Sequence, residues 1–180
     1  NDTFRAHREF LGNFREWTIF GRGGHDLIEG ARKNDELNGG SGNDTLSGRG
    51  GADRLDGGTG QGQMAGGSDN DYYIVDNFGD RVIESFNKGF DTIETSVSFT
   101  LPNHVERLII NEDATGQIAG FGNALNNTIM ANDIGNVLLG MDGFDALFGG
   151  DGADTLDGGR QGDVMQGGKG DDRYIVDTAG

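Results

Sequence analysis

Residues 39–56 read GGSGNDTLS followed by GRGGADRLD, two consecutive nonapeptides with glycine at position one, aspartate at position six and leucine at position eight. The same period extends in both directions, from Gly21 to Ile74, and gives six nonapeptides. It resumes from Gly122 to Ile175 as six more. Position one is glycine in eleven of the twelve repeats, position six is aspartate in nine, and position eight is large and apolar in all twelve. Self-similarity at a fixed period indicates a repeat architecture in which each unit stacks on its neighbours.

The composition agrees with a turn-rich protein and excludes several functional classes. The 180 residues include 35 glycines, one proline, no cysteine, and 30 acidic against 14 basic residues, for a net charge of -16. This charge makes nucleic acid and anionic membrane surfaces poor partners. Without cysteine the chain has no disulfide and no thiolate metal site. No apolar run approaches the roughly 18 residues of a transmembrane segment.

The nonapeptide resembles the glycine- and aspartate-rich repeat of the RTX (repeats-in-toxin) family, whose members are calcium-binding β-roll proteins secreted by Gram-negative bacteria. The segment between the two blocks, from Tyr73 to Glu112, resembles the spacers between RTX blocks. The resemblance implies a Ca²⁺ cofactor and export by the type I secretion machinery. It also implies a location outside the cell or on the cell surface.

The spacing within the repeat predicts one strand and one turn. Positions seven to nine alternate polar and apolar side chains, as in a short strand with one face inward, and positions one to six supply a tight glycine-rich turn. Eighteen residues then complete a coil, with position eight inside and position six along two edges. We therefore predict an all-β fold, a parallel β-roll (right-handed β-solenoid) with blocks at 21–75 and 122–176. A metal-poor β segment at 76–121 joins the blocks and continues the solenoid, and residues 177–180 begin the next spacer.

Stacked coils place position-six carboxylates in pairs, which predicts a metal. Two carboxylates about 5 Å apart, at an effective dielectric near 20, repel by roughly 3 kcal/mol, and a divalent cation between them reverses the sign. Calcium accepts six to eight oxygens in flexible geometry, whereas magnesium requires a tight octahedron and zinc prefers Cys and His. We predict about four to eight Ca²⁺ ions. The predicted ligands are the side chains of Asp26, Asp35, Asp44, Asp53, Asp71, Asp145, Asp154, Asp163, Asp172, Asn127 and Asn136, and the backbone carbonyls of Gly40, Gly42, Gly51, Gly143, Gly150 and Gly152.

The predicted sites differ in quality. Asn127 and Asn136 each remove one carboxylate from a pair, and Gly62 removes the partner of Asp44, so weaker or empty sites are expected there. Arg32 and Lys33 replace turn glycines, which makes the Asp35–Asp53 site doubtful. The best sites are expected at Asp–Asp pairs.

The remaining residues lack the glycine rhythm. Within the spacer, alternation from Ile93 to Leu101 predicts a strand, and residues 81–84 and 106–110 are predicted to form further short strands, with an inserted binding element as the alternative. In residues 1–20, Phe10, Phe14 and Trp17 are spaced for one helical face. We expect a cap over the open end of the solenoid, with an aromatic ligand platform or an incomplete repeat as alternatives.

The sequence does not predict an enzyme. It has no G-x-S-x-G elbow, no H-E-x-x-H helix and no phosphate-binding loop. The carboxylate pairs could imitate a glycosidase acid/base pair, but their repetition every eighteen residues favours metal ligation. The leading hypothesis is a module that folds on binding calcium outside the cell and assists the folding or secretion, or supports the structure, of a larger type I-secreted protein. The alternative is a calcium-dependent adhesive or polysaccharide-binding accessory module of a secreted enzyme or adhesin.

Overall fold

The computed structural model describes residues 2–5 and 15–176, so Phe10 and Phe14 lie outside the described residues. Within these ranges the chain forms strands and turns without a helix, and therefore without a helix that could span a membrane. The chain divides into two compact units, residues 1–92 and 93–180. The predicted all-β parallel β-roll is confirmed.

The first unit is a parallel solenoid in which successive strands alternate between two sheets. Its strands are β1 (Thr3–Arg5), β2 (Thr18–Phe20), β3 (Leu27–Glu29), β4 (Glu36–Asn38), β5 (Thr45–Ser47), β6 (Arg54–Asp56), β7 (Gln63–Ala65), β8 (Tyr72–Val75) and β9 (Arg81–Val82). Strands β1, β3, β5, β7 and β9 form one sheet, while β2, β4, β6 and β8 lie in the other. Leu27 pairs with Thr45 and Glu36 with Arg54, so each coil takes the predicted eighteen residues.

The second unit repeats this arrangement from the boundary residue Thr92 onward. Its strands are β10 (Thr92–Thr95), β11 (Phe99–Thr100), β12 (Arg107–Ile110), β13 (Ala119–Phe121), β14 (Thr128–Met130), β15 (Val137–Leu139), β16 (Ala146–Phe148), β17 (Thr155–Asp157), β18 (Val164–Gln166) and β19 (Arg173–Ile175). Its coils are longer in the spacer, where Arg107 pairs with Thr128. They return to eighteen residues in the repeats, where Thr128 pairs with Ala146.

Position-eight side chains form the core. Each repeat strand is only three or four residues long, and position eight is its central inward residue. Ten of the twelve are at most 1% exposed: Ile28, Leu37, Leu46, Leu55, Met64, Tyr73, Ile129, Leu138, Leu147 and Leu156. Met165 is half-buried and Tyr174 is 46% exposed, because they occupy the last strands of the second block. Within each unit the core is thus formed by large apolar side chains stacked between two sheets.

The turns stack as closely as the strands. Position-three residues of successive coils form bridges, as between Ser41 and Thr59. Gly42, at position four, has φ +126°, and a Cβ there would clash with the backbone carbonyl of Gly24 in the adjacent coil. Glycine is therefore required at this position by both the dihedral angle and the approach of the neighbouring backbone.

The described residues before Gly21 extend the two sheets. Strand β1 pairs with β3 and strand β2 pairs with β4, both parallel. Trp17 lies in a non-helical segment that leads into β2, and its backbone N–H donates to Oδ1 of Asp35 (2.8 Å). This part of the proposed cap therefore takes its conformation from the solenoid.

Candidate metal centres

Position-six side chains stack one coil above another, as the eighteen-residue period requires. In each predicted Asp–Asp pair the N–H of the earlier aspartate donates to Oδ1 of the aspartate eighteen residues later. The donor–acceptor distances are 2.7 Å for Asp26–Asp44, 2.7 Å for Asp35–Asp53, 2.8 Å for Asp53–Asp71, 2.9 Å for Asp145–Asp163 and 3.1 Å for Asp154–Asp172. One carboxylate oxygen of each later residue is thus used to join two coils.

These carboxylates are buried, although the sequence placed them along the edges of the roll. Seven of them are at most 3% exposed: Asp26, Asp35, Asp44, Asp53, Asp71, Asp145 and Asp154. Asp163 and Asp172, near the end of the second block, are half-buried. The glycine-rich turn explains the burial, since the position-one glycine of the same repeat has no Cβ and leaves room for the carboxylate. At Gly39, for example, a Cβ would lie 2.5 Å from Oδ2 of Asp44.

In six of these carboxylates the second oxygen has no hydrogen-bond donor. Six Oδ2 atoms are buried and unpartnered, those of Asp26, Asp44, Asp53, Asp71, Asp145 and Asp154. A buried polar atom without a partner costs about 1–3 kcal/mol, and more when it is charged. Each of these oxygens therefore requires a proton or a cation.

The raised pKa values of the buried aspartates reflect the same need for a proton or a cation. Burial, the largest cause, raises the pKa of Asp145 to about 6, of Asp53 to about 7 and of Asp71 to about 8. Nearby carboxylates raise these pKa values further, while the hydrogen bonds from backbone N–H groups lower them in part. Burial also raises the pKa of Asp44 and Asp154. A divalent cation would reverse this effect by favouring the ionised carboxylates.

The glycine carbonyls predicted as ligands fall into two groups. Position-two carbonyls already accept backbone hydrogen bonds, that of Gly40 from Thr59 (2.8 Å) and that of Gly150 from Lys169 (3.2 Å). Among the described residues, no N–H donates to the position-four carbonyls of Gly42, Gly51, Gly143 and Gly152. Unpartnered carboxylate and carbonyl oxygens together form a hard, oxygen-only donor set, which fits Ca²⁺.

The family model for the RTX calcium-binding nonapeptide repeat matches the chain in four overlapping copies, at residues 18–37, 29–64, 130–165 and 148–176. Together these copies cover just over half of the chain. This chain belongs to the RTX family. RTX repeats bind Ca²⁺, and the β-roll that they form is a structural module without a catalytic role. No curated protein matches the chain significantly.

The degenerate RTX repeats satisfy their position-six side chains internally. Oδ2 of Asp35 accepts a hydrogen bond from the N–H of Ala31 (2.6 Å), in the repeat where Arg32 and Lys33 replace glycines. The amide of Asn127 donates to the carbonyl of Val105 (3.1 Å). These side chains need no cation to complete their hydrogen bonding, which supports the expectation of weaker sites there.

Asn136 is satisfied in the same way. Its amide donates to Oδ1 of Asn132 (2.7 Å), and its Oδ1 accepts from the N–H of Ile118 (3.1 Å). The asparagine therefore keeps the coil-to-coil bond of the position-six aspartates while its second polar atom finds a protein partner. The Asn136 side chain itself therefore adds no uncompensated charge to the stack.

Two aspartates of the spacer continue the stacks, and the sequence analysis missed both. Asp80 accepts from the N–H of Gly62, and Asp91 accepts from the N–H of Asp71, each at 2.8 Å. Asp80 is 6% exposed and Asp91 is 1% exposed. Counting eighteen residues beyond Gly62 would have found Asp80. Asp91 follows Asp71 by twenty residues, so the fixed period does not reach it.

A tyrosine closes the last RTX repeat of each block. The N–H of Gly66 donates to the hydroxyl of Tyr73 (2.6 Å), whereas the equivalent N–H of Gly48 donates to the carbonyl of Ala65 (2.9 Å). The hydroxyl of Tyr174 accepts likewise from Gly167 (2.7 Å). Tyrosine at position eight thus replaces a backbone acceptor where the regular repeat ends.

Proposed function

We propose that this chain is a calcium-switched folding module of a larger protein exported by type I secretion. In this proposal the chain stays loose in the calcium-poor cytosol and winds into the roll outside the cell, where calcium is available. The observation that carries the proposal is the set of six buried, unpartnered Oδ2 atoms, distributed over two stacks in each block. A wound roll without cations must bury these charges or protonate them, and both cost free energy at neutral pH.

The proposed ions lie between stacked position-six side chains. In the first block the carboxylates come from two pairs, Asp26 with Asp44 and Asp53 with Asp71. The Asp145 and Asp154 stacks do so in the second. Position-four carbonyls such as that of Gly42 complete the oxygen ligands. The pairs containing Asp35, Asn127 or Asn136 are the weakest, because protein donors already satisfy these side chains.

The size of the calcium effect matches a folding switch. A ligand that binds only the folded state at ten times its Kd stabilises that state by about 1.4 kcal/mol per site. About four to eight such sites would contribute roughly 6–11 kcal/mol, which is comparable to the whole net stability of a domain, about 5–15 kcal/mol. Extracellular calcium modules have Kd values of about 0.1–1 mM, so binding would be confined to the outside of the cell.

Far-UV circular dichroism tests the switch. We expect an unfolded spectrum in excess chelator at neutral pH and a β spectrum in millimolar calcium. Magnesium at equal ionic strength is the matched control, because it screens the net charge of -16 equally well but fits the flexible oxygen sites poorly. A complete β spectrum in chelator, or equal folding in magnesium, would falsify the proposal.

A further inference from the structure

We propose that Asp71, Glu84 and Asp91 form an additional calcium site where the spacer meets the last coil of the first block, with Asp71 shared between this site and the nonapeptide pair Asp53–Asp71. The inference rests on the proposed calcium-dependent function for its choice of cation. Asp71 belongs to the last nonapeptide of the first block, whereas Glu84 and Asp91 belong to the spacer, which the sequence predicts to be metal-poor.

Among the residues that the structure describes, these three carboxylates are the one group of three acidic side chains that converge on a common point. One oxygen from each lies within 4.8 Å of the other two. Asp71 and Asp91 are 2% and 1% exposed, and Glu84 is half-buried. The site is therefore enclosed on the side of the two aspartates and accessible on the side of Glu84, where water can complete the coordination of an ion.

An unpartnered oxygen points into this cluster. Oδ1 of Asp71 accepts from the N–H of Asp53 (2.8 Å), and Oδ2 of Asp71 is buried without a donor. A Cβ on Gly66 would meet both this Oδ2 and the Tyr73 hydroxyl, so the two oxygens flank the same point. That hydroxyl donates to Glu84. The free oxygen of Asp71 is thus directed toward the Glu84 side of the cluster.

The local charge also favours a cation. Three carboxylates with a Tyr hydroxyl beside them form an oxygen-only set, and Ca²⁺ accepts such ligands singly or in pairs. Tyr73 is a positioning residue here, since its hydroxyl fixes Glu84 while also accepting from Gly66.

Calcium stoichiometry tests the additional site. Isothermal titration calorimetry would compare the unaltered chain, Glu84→Gln, and the matched control Glu112→Gln, which makes the same charge change at an exposed residue outside the cluster. We expect Glu84→Gln to bind one calcium fewer, and Glu112→Gln to bind the unaltered number. Equal numbers for the two variants overturn the additional site while leaving the proposed function intact. Failure of the unaltered chain to bind calcium overturns both.

A second variant covers the case in which Glu84→Gln does not fold in calcium. Glu84→Asp keeps the charge but withdraws the carboxylate by one methylene. We expect it to fold and to bind the ion of this site about tenfold or more weakly, while the other ions bind as before. Titration curves for Glu84→Asp that superimpose on those of the unaltered chain would contradict the additional site.

Discussion

A single position-six aspartate has two structural tasks. One oxygen accepts the N–H of the residue one coil earlier, which fixes the stacking of the turns. The other oxygen is left buried without a donor. Asn136 shows that an amide can perform the first task, accepting from the N–H of Ile118 (3.1 Å), and that its amide nitrogen then finds an oxygen partner, Oδ1 of Asn132. The carboxylate is therefore specifically suited to a site where a cation completes the second task.

The titration of these buried aspartates predicts the pH dependence of the calcium-free roll. The folded-state pKa values of about 6 for Asp145, 7 for Asp53 and 8 for Asp71 exceed the ordinary value of 3.8. The folded state therefore holds more protons than the unfolded state between about pH 4 and pH 8, and its stability falls as the pH rises through this window. In excess chelator we expect the β signal to be greatest at about pH 4–5 and to decline toward pH 8.

Circular dichroism measured against pH, in chelator and in saturating calcium, tests the predicted decline of the β signal. Calcium should hold the β signal level across the upper part of the window, because the cation replaces the lost protons. A chelated sample that gains β signal as the pH rises from 5 to 8 would show that protonation of buried aspartates does not limit winding.

At the scale of the element, the repeat is a three-residue strand joined to a turn that must approach its neighbour closely. Neither part is stable alone, since a short strand gains its hydrogen bonds only from the coils on either side. The turn contributes as much as the strand to this stacking, through the position-three bridges and the position-six hydrogen bonds. Substitutions in the turn should therefore be as harmful as substitutions in the core.

Gly42→Ala tests the turn. The substitution places a Cβ at φ +126° and against the backbone carbonyl of Gly24, so we expect a loss of about 2–4 kcal/mol in the free energy of unfolding. The control is Gly162→Ala, where φ is not positive and the nearest atom to the Cβ is Cε1 of Phe144 at 3.8 Å. Denaturant unfolding in saturating calcium measures both variants. Equal stability of the two variants would show that close stacking of the turns is not needed.

The regular period explains how much the sequence could predict. Strands at positions seven to nine, the position-eight core and the five stacked Asp–Asp pairs follow from covalent spacing alone, since eighteen residues bring the chain back to its starting side. The hydrogen bond between coils and the burial of the carboxylates do not follow from spacing, because they depend on how tightly the glycine turn wraps around the side chain.

Irregular coils set the limit of that prediction. Thr3 pairs with Leu27 across 24 residues, and Phe99 pairs with Gly120 across 21. Asp91 lies beneath Asp71 because the coil between them is two residues longer than a nonapeptide pair. Insertions change the register without leaving a recognisable motif. The sequence alone could therefore not predict that Glu84 and Asp91 lie at the end of the first block.

At the scale of the whole molecule, the net charge of -16 opposes compaction. About four to eight Ca²⁺ ions would add roughly 8 to 16 positive charges, enough to offset half or more of it. The proposed ions lie where the charge is buried, so they would act on the folded state much more than on the unfolded chain. Each of the two compact units carries one repeat block, and each contains buried, unpartnered Oδ2 atoms.

The position of calcium in crystals grown with the ion is the most direct test of this account. Anomalous scattering from a lanthanide substitute would locate the ions. We predict about four to eight ions, seated between stacked aspartates such as Asp26 with Asp44 and Asp53 with Asp71, with the Oδ2 atoms as ligands. A wound roll in which these oxygens are bound by protein or water alone, with no ion or one, would contradict the claim that cations are what stabilise it.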